Sequence, residues 1–153
     1  MKKTNIALFI VAGLLAIANL LQGQELSYEY SYFPNGTVAA VSTYHDSARV
    51  ERRVFYPTGE VWMIADFDPE SGLQHGDEFW YWRNGEVKEA TEYVNGYAHG
   101  YCFGWDPSGE TTFTKLYFES REVPVEDYDK YFPSDEYQDE PDPSAFALRA
   151  KGQ

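Results

Sequence analysis

The chain has 153 residues, is 18% aromatic, and carries 25 acidic against 12 basic side chains for a formal net charge of −13. That length allows one ordinary domain, and that charge disfavours nucleic acid and anionic membranes as partners while suiting basic protein surfaces or simple solubility. Cys102 is the single cysteine, so no disulfide forms within the chain and the fold rests on burial and hydrogen bonds.

The amino terminus reads as a secretory signal peptide over residues 1–23. Met1-Lys2-Lys3 is a short basic start, and Ile6 to Ala18 is an uncharged apolar run of 13 residues, against roughly 20 for a comfortable membrane span. Ala16-Ile17-Ala18 and Gly23 offer two cut sites, and Gly23 leads directly into strand-like sequence. Loss of Lys2 and Lys3 with the signal takes the net charge from −13 to −15. The expected location is secreted, periplasmic or otherwise in the cell envelope. Cys102 lies far from either cut, so it is no lipid acceptor.

Residues 24–123 repeat. Phe33-Pro34-Asn35-Gly36, Tyr56-Pro57-Thr58-Gly59, Trp82-Arg83-Asn84-Gly85 and Asp106-Pro107-Ser108-Gly109 place their glycines 23, 26 and 24 residues apart. Four positions before each glycine stand Tyr32, Phe55, Tyr81 and Trp105; eight positions after it stand Tyr44, Phe67, Tyr93 and Tyr117. The stretch from Phe79 to Gly100 is the clearest copy: an aromatic strand, an Asn-Gly turn, an alternating strand ending at Tyr93, and a second Asn-Gly turn. Asn and Gly tolerate the positive φ of a tight two-residue hairpin turn. The spacing predicts an all-β, elongated single-layer array of antiparallel hairpins in about four units of ~24 residues.

Strand parity predicts one aromatic face and one charged face. Tyr28, Tyr30, Tyr32, Phe79, Tyr81, Tyr101, Phe103 and Trp105 share the first, continued after the turn by Val38, Val61, Val87 and Thr111 and then by the second aromatic column. Thr37, Glu60, Glu86 and Glu110, with Asp66 and Glu92 further out, fall on the other. Leucine is nearly absent from residues 24–123 and every unit carries Gly or Pro at its middle, which excludes helical and leucine-rich solenoids. The second unit departs from its siblings: Arg53 stands where they have Tyr30, Phe79 and Phe103, and a longer loop runs from Asp68 to Gly76.

Residues 124–153 read as an acidic, mostly disordered tail, with eight acids, one base and four prolines over 124–143. Tyr128, Tyr131, Phe132 and Tyr137 in its first half suit a cover for the edge of the last hairpin. Ala145 to Ala150 is expected to form a turn of helix at most.

No catalytic, cofactor-binding or metal-binding set emerges. His75 and His99 occupy equivalent columns 24 residues apart, which fits a repeated polar turn better than a metal pair without cysteine or clustered histidine; His45 lies in another column. Cys102 with His99 lacks an orienting third group and an oxyanion site. Asp127-Tyr128-Asp129 alternates carboxylates without the glycine-centred loop of a calcium site. Asn35-Gly36-Thr37 matches a glycosylation acceptor but is explained by its turn. Trp62, Trp80 and Trp82 lie at the margin of the aromatic ladder and could face a ligand, as aromatic rows on short hairpins do in glycan-binding repeats.

The pattern aromatic-aromatic-x-x-Gly-x-Val, running on to an aromatic and then Asn-Gly-x-x-His-Gly, resembles the bacterial variant of the MORN repeat. The resemblance is best over Phe79–Gly100 and looser over Tyr32–Tyr44, Phe55–Gly76 and Tyr101–Tyr117. It implies hairpin arrays used for binding or as spacers, without catalytic residues of their own. It also implies an antitoxin-like neutralising partner as one alternative. The expected function is a secreted or periplasmic, non-enzymatic protein-interaction or structural module. The second alternative is a carbohydrate- or envelope-binding module that uses Trp62, Trp80 and Trp82.

Overall fold

The computed structural model describes residues 25–133 and 142–152. The predicted signal peptide and the stretch 134–141, with Tyr137, lie outside them. Among the described residues, nine antiparallel strands form one open sheet in sequential order. They are β1 (Leu26–Tyr32), β2 (Val38–His45), β3 (Ala48–Phe55), β4 (Val61–Phe67), β5 (Gln74–Tyr81), β6 (Val87–Val94), β7 (Tyr97–Trp105), β8 (Thr111–Phe118) and β9 (Arg121–Val123). Every connection joins neighbours, so the architecture is the hairpin array that the glycine spacing predicts.

Two kinds of turn alternate along the chain. At the four repeat glycines, Gly36, Gly59, Gly85 and Gly109 donate to the carbonyls of Phe33, Tyr56, Trp82 and Asp106, whose own amides donate to Thr37, Glu60, Glu86 and Glu110 at 2.8 to 2.9 Å. These glycines alone take the left-handed conformation there, with φ between +85° and +103°. This corrects the two-residue turn expected at Asn84-Gly85. Asn35 and Asn84 use their side chains instead, accepting from the amides of Thr37 and Glu86 at 3.0 and 3.1 Å, a wider turn closed by a glycine bulge. The tight turns with both central residues at positive φ are Asp46-Ser47, Asn95-Gly96 and Glu119-Ser120.

After each repeat glycine the second strand skips a residue. Tyr81 pairs with Val87 but Trp80 pairs with Glu89, leaving Lys88 unmatched; Ala39, Trp62 and Thr112 are skipped in the same way. A bulge inverts the parity of all that follows it. Ile64, Phe79, Ala90 and Phe103 consequently form one row across the sheet, on what we call the front face. The second aromatic column falls on the back: Tyr93 pairs with Gly76, in phase with Glu78 and Trp80. Conversely Asp66, expected on the charged face, lies on the front with Asp77 and Glu92. The prediction of one aromatic and one charged face is thus corrected, because the bulge exchanges sides halfway along each unit.

The tail covers the front face of the carboxy-terminal half. A 3-10 turn at Val125–Asp127 leads into the short helix α1 (Tyr128–Tyr131), and α2 spans Pro143–Lys151. Tyr128 stacks on Tyr101 at 5.3 Å, Tyr131 packs on Phe118 at 5.3 Å, and Phe132 meets His99 edge-on at 4.9 Å. Phe146 of α2 lies 5.0 Å from Phe103, and Tyr81 Oη donates to the Ala150 carbonyl at 2.8 Å. Burying Phe146 contributes roughly 2 to 3 kcal/mol. The described parts of residues 124–153 are packed on the sheet, and the helix over Pro143–Lys151 is longer than the single turn expected at 145–150. Composition gave weight to the acids, whereas two turns of helix need only Phe146 and Ala150 on one side and the Asp142 cap, whose carboxylate accepts from Ser144 N at 2.9 Å. The expected edge cover is a face cover; the edge of β8 is closed by β9.

Candidate functional site

The front face is covered unevenly. Phe79, Tyr81, Tyr101, Phe103 and Trp105 are buried beneath the tail with Ile64, Val87 and Leu116. On β1, the equivalent Tyr28, Tyr30 and Tyr32 are 48, 47 and 56% exposed, and Tyr30 and Tyr32 stack on each other at 6.5 Å. Arg53 marks the boundary. Its guanidinium makes a paired contact with Glu51, Nε to Oε1 at 2.8 Å and Nη2 to Oε2 at 3.0 Å, in the row where the neighbouring unit has Phe79. An ion pair there replaces the apolar surface that would extend the core toward β1.

Carboxylates line up beside that pair. Asp66 on β4 is pushed above the usual carboxylate range, first by burial and then by the charges of Asp77 and Glu51. Asp77 on β5 is pushed up by burial, against the pull of Arg149 on α2, whose Nη1 lies 3.3 Å from its Oδ2. Lys151 reaches Glu86 at 3.0 Å. The tail is therefore fixed both by apolar packing and by two cations on the far end of α2.

The back face has no second layer among the described residues, and its aromatics lie against their own sheet. Tyr56, Trp62 and Trp80 form a strip, with ring centres 6.0 and 5.2 Å apart. Trp62, the skipped residue of its bulge, is 40% exposed. Trp80 is half-buried, its Nε1 donating to Glu78 at 2.8 Å. Arg83 sits over Tyr56 at 5.1 Å. Trp82 is held otherwise: Nε1 donates to the Trp105 carbonyl at 3.0 Å, and Lys88 lies 4.9 Å from its ring. Tyr56 Oη makes the corresponding bond to the Tyr81 carbonyl at 2.9 Å. Each of these residues, three positions before its glycine, ties its unit to the next. Trp62 and Trp80 thus share a surface, while Trp82 is an inter-unit clamp. Tyr56 was missing from the sequence-derived site, although the column Phe33, Tyr56, Trp82 carries a legible signal.

The remaining predicted positions are structural. Tyr32, Phe55, Tyr81 and Trp105 occupy the front row beside Val38, Val61, Val87 and Thr111. On the back, Tyr44 Oη donates to Glu29 at 2.8 Å, and Phe67 carries Arg49 4.0 Å from its ring centre. Tyr93 is pushed up to about 12, chiefly by burial. Tyr117 pairs with Gly100 on β7. The loop from Asp68 closes on itself, its carboxylate accepting from Ser71 N at 2.7 Å. It is tied to the next unit through Gly96 N to the Gln74 carbonyl at 2.8 Å.

Cys102 is buried on the back face, its thiol pushed up to about 11 by burial, and Thr91 Oγ1 donates to it at 3.1 Å. His99 packs against Phe118 and Phe132 on the front. The two lie on opposite sides of the sheet. His75 Nδ1 accepts from Asn95 N at 3.5 Å, a turn contact. Among the described residues no three His, Cys, Asp or Glu side chains are placed to hold a metal, and no helix is long and apolar enough to cross a membrane.

With β5, its turn and β6 in place as one complete hairpin, residues 74–95 match the model of the MORN repeat variant. The chain carries a MORN repeat. The match covers the unit that is clearest in sequence, and the other units repeat its turn bonds and bulge. This chain is also similar to two solved structures. One is accessory secretory protein 1,2 and 3 in Streptococcus pneumoniae, at 20% identity and a TM-score of 0.42 over 60% of this chain and 17% of that one. The other is the Glycosylation Associate Protein (Gap123) complex from Streptococcus agalactiae, at 16% identity and 0.42 over 81% and 23%. The chain spans less than a quarter of either. No curated protein matches the sequence.

Proposed function

We propose that this chain is an exported, non-enzymatic MORN-repeat module that binds a protein partner on the open half of its front face. The observation that carries this reading is the exposure of Tyr28, Tyr30 and Tyr32, in positions whose counterparts in the later units are buried under the chain's own tail. Tyrosine supplies large contact area at low entropic cost, and an uncovered row of it suits recognition. A non-enzymatic role is supported by the inert setting of Cys102 and its separation from His99 across the sheet.

The test is affinity capture from an envelope extract with the wild-type chain, a Tyr28→Ala/Tyr30→Ala/Tyr32→Ala variant and Trp62→Ala. One protein captured by the wild type and by Trp62→Ala, but lost with the triple variant, is the expected result. Absence of any captured protein would sink the proposal. Export is checked by the intact mass of the chain from its native host, expected to lack residues 1–23.

A second reading rests on the strip Tyr56, Trp62 and Trp80, where exposed Trp62 offers an aromatic face to a sugar ring beside the polar Glu78. Envelope glycans that quench and shift tryptophan emission in the wild type, and leave Trp62→Ala unchanged, would favour it.

A further inference from the structure

The two edges of the sheet are finished differently. At the carboxy-terminal edge β9 has three residues, carries Arg121 and Glu122, and runs into Pro124, all devices that discourage pairing. Among the described residues the other edge is β1, a seven-residue strand with every residue exposed, no proline, no lysine and no bulge of its own. Asp46 N donates to the Glu25 carbonyl at 3.2 Å and Phe33 N to the Thr37 carbonyl at 2.9 Å, so the odd-numbered residues of β1 turn their backbone groups toward β2. By alternation, the N–H and C=O groups of Leu26, Tyr28, Tyr30 and Tyr32 point out of the sheet.

We propose that the free edge of β1 pairs antiparallel with β1 of a second copy, about a dyad at Tyr30. In that register Tyr30 faces Tyr30 and Tyr28 faces Tyr32, so the outward groups of all three residues are matched by about six backbone hydrogen bonds. Residues opposite one another share a face, which makes the exposed tyrosines of both copies one continuous row. The charges fit this register. Glu29, the only ionised side chain of β1, is opposite Ser31 and is held on the back face by Tyr44 Oη at 2.8 Å. A dyad at Glu29 would instead set two carboxylates face to face. The interface is isologous and closes, giving a dimer rather than a fibre. It depends on the edge of β1 and not on the identity of any partner on the tyrosine face.

The test is sedimentation of the purified full chain as wild type, Tyr30→Lys, Tyr30→Glu and an equimolar mixture of the two variants, with far-UV circular dichroism to check that each is folded. The expected result is a wild-type dimer, a dimer Kd raised at least ~10-fold in each variant alone, and recovery of dimer in the mixture, where Lys meets Glu at the dyad. Two copies of net charge −13 repel, so wild-type dimerisation should strengthen as salt is raised from about 0.05 to 0.5 M. A wild type that stays monomeric throughout, a dimer indifferent to Tyr30→Lys, or a mixture of folded variants that fails to associate would each overturn the proposal. A monomer that instead binds a cationic extended peptide, more weakly as salt rises, would assign the edge to a different occupant.

Discussion

Gly104 shows how closely single residues are fitted on a face without a second layer. A Cβ built there would lie 2.1 Å from Phe113 Cε1, because the Phe113 ring lies flat across the neighbouring strand. Gly104→Ala should cost at least about 2 kcal/mol by forcing that ring aside, and Phe113→Ala in the same chain should recover part of the loss; a double-mutant cycle by urea unfolding measures both. Asp66 offers a second test. Its folded pKa lies above its unfolded one, so the stabilising contribution of its protonated form is complete below the unfolded value and is lost as pH rises through the folded value. Asp77, raised by burial, acts in the same direction. Thermal stability should therefore rise as pH falls through the folded pKa of these two groups, and Asp66→Asn should raise Tm above that pKa and flatten the rise. The exposed turn carboxylates Asp68 and Asp106, lowered by hydrogen bonds from Ser71 and Ser108, act oppositely and only at more acid pH.

At the scale of elements, α2 gives the tail its place. Phe146→Ala removes the ring packed on Phe103 and should cost about 3 to 4 kcal/mol, with a red shift in tryptophan emission as Trp105 becomes exposed to water. Tyr81→Phe keeps the packing and removes only the bond to the Ala150 carbonyl, so a loss of about 1 kcal/mol is expected in the same assay. The sequence signal for this helix was present in Asp142-Pro143-Ser144, a cap followed by proline at the first helical position. It was obscured by the acids around it, and nothing local says that Phe146 has the Phe103 ring to pack against.

Across the whole molecule, each unit leans on the next through strand pairing, turn bonds and the clamps Tyr56 and Trp82, with no long-range sheet connection. Such an array unfolds by regions. In the monomer, at concentrations below the dimer Kd, the β1–β2 hairpin, with no tail over it, should exchange its backbone amides fastest, and β6, β7 and β8 beneath the tail slowest. Hydrogen exchange followed by mass spectrometry reads this gradient directly, and uniform protection along the sheet would contradict it.

The glycine spacing, the aromatic columns and the Asn-Gly pairs settled by themselves that the chain is a run of antiparallel hairpins, because turn chemistry and strand alternation are local and survive without knowledge of the partner strand. They also marked Arg53 as an exception. What only the tertiary structure decided was which side each residue faces and what covers it. A one-residue bulge after each turn sent Tyr44, Phe67, Tyr93 and Tyr117 to the back and brought Asp66 and Glu92 to the front. The pairing register that creates a bulge belongs to two strands together, and the docking of α2 joins residues 69 apart in the chain, from Tyr81 to Ala150. Neither is encoded in any short stretch, so the open tyrosine face of β1 became visible only once the rest of the front face was seen to be covered.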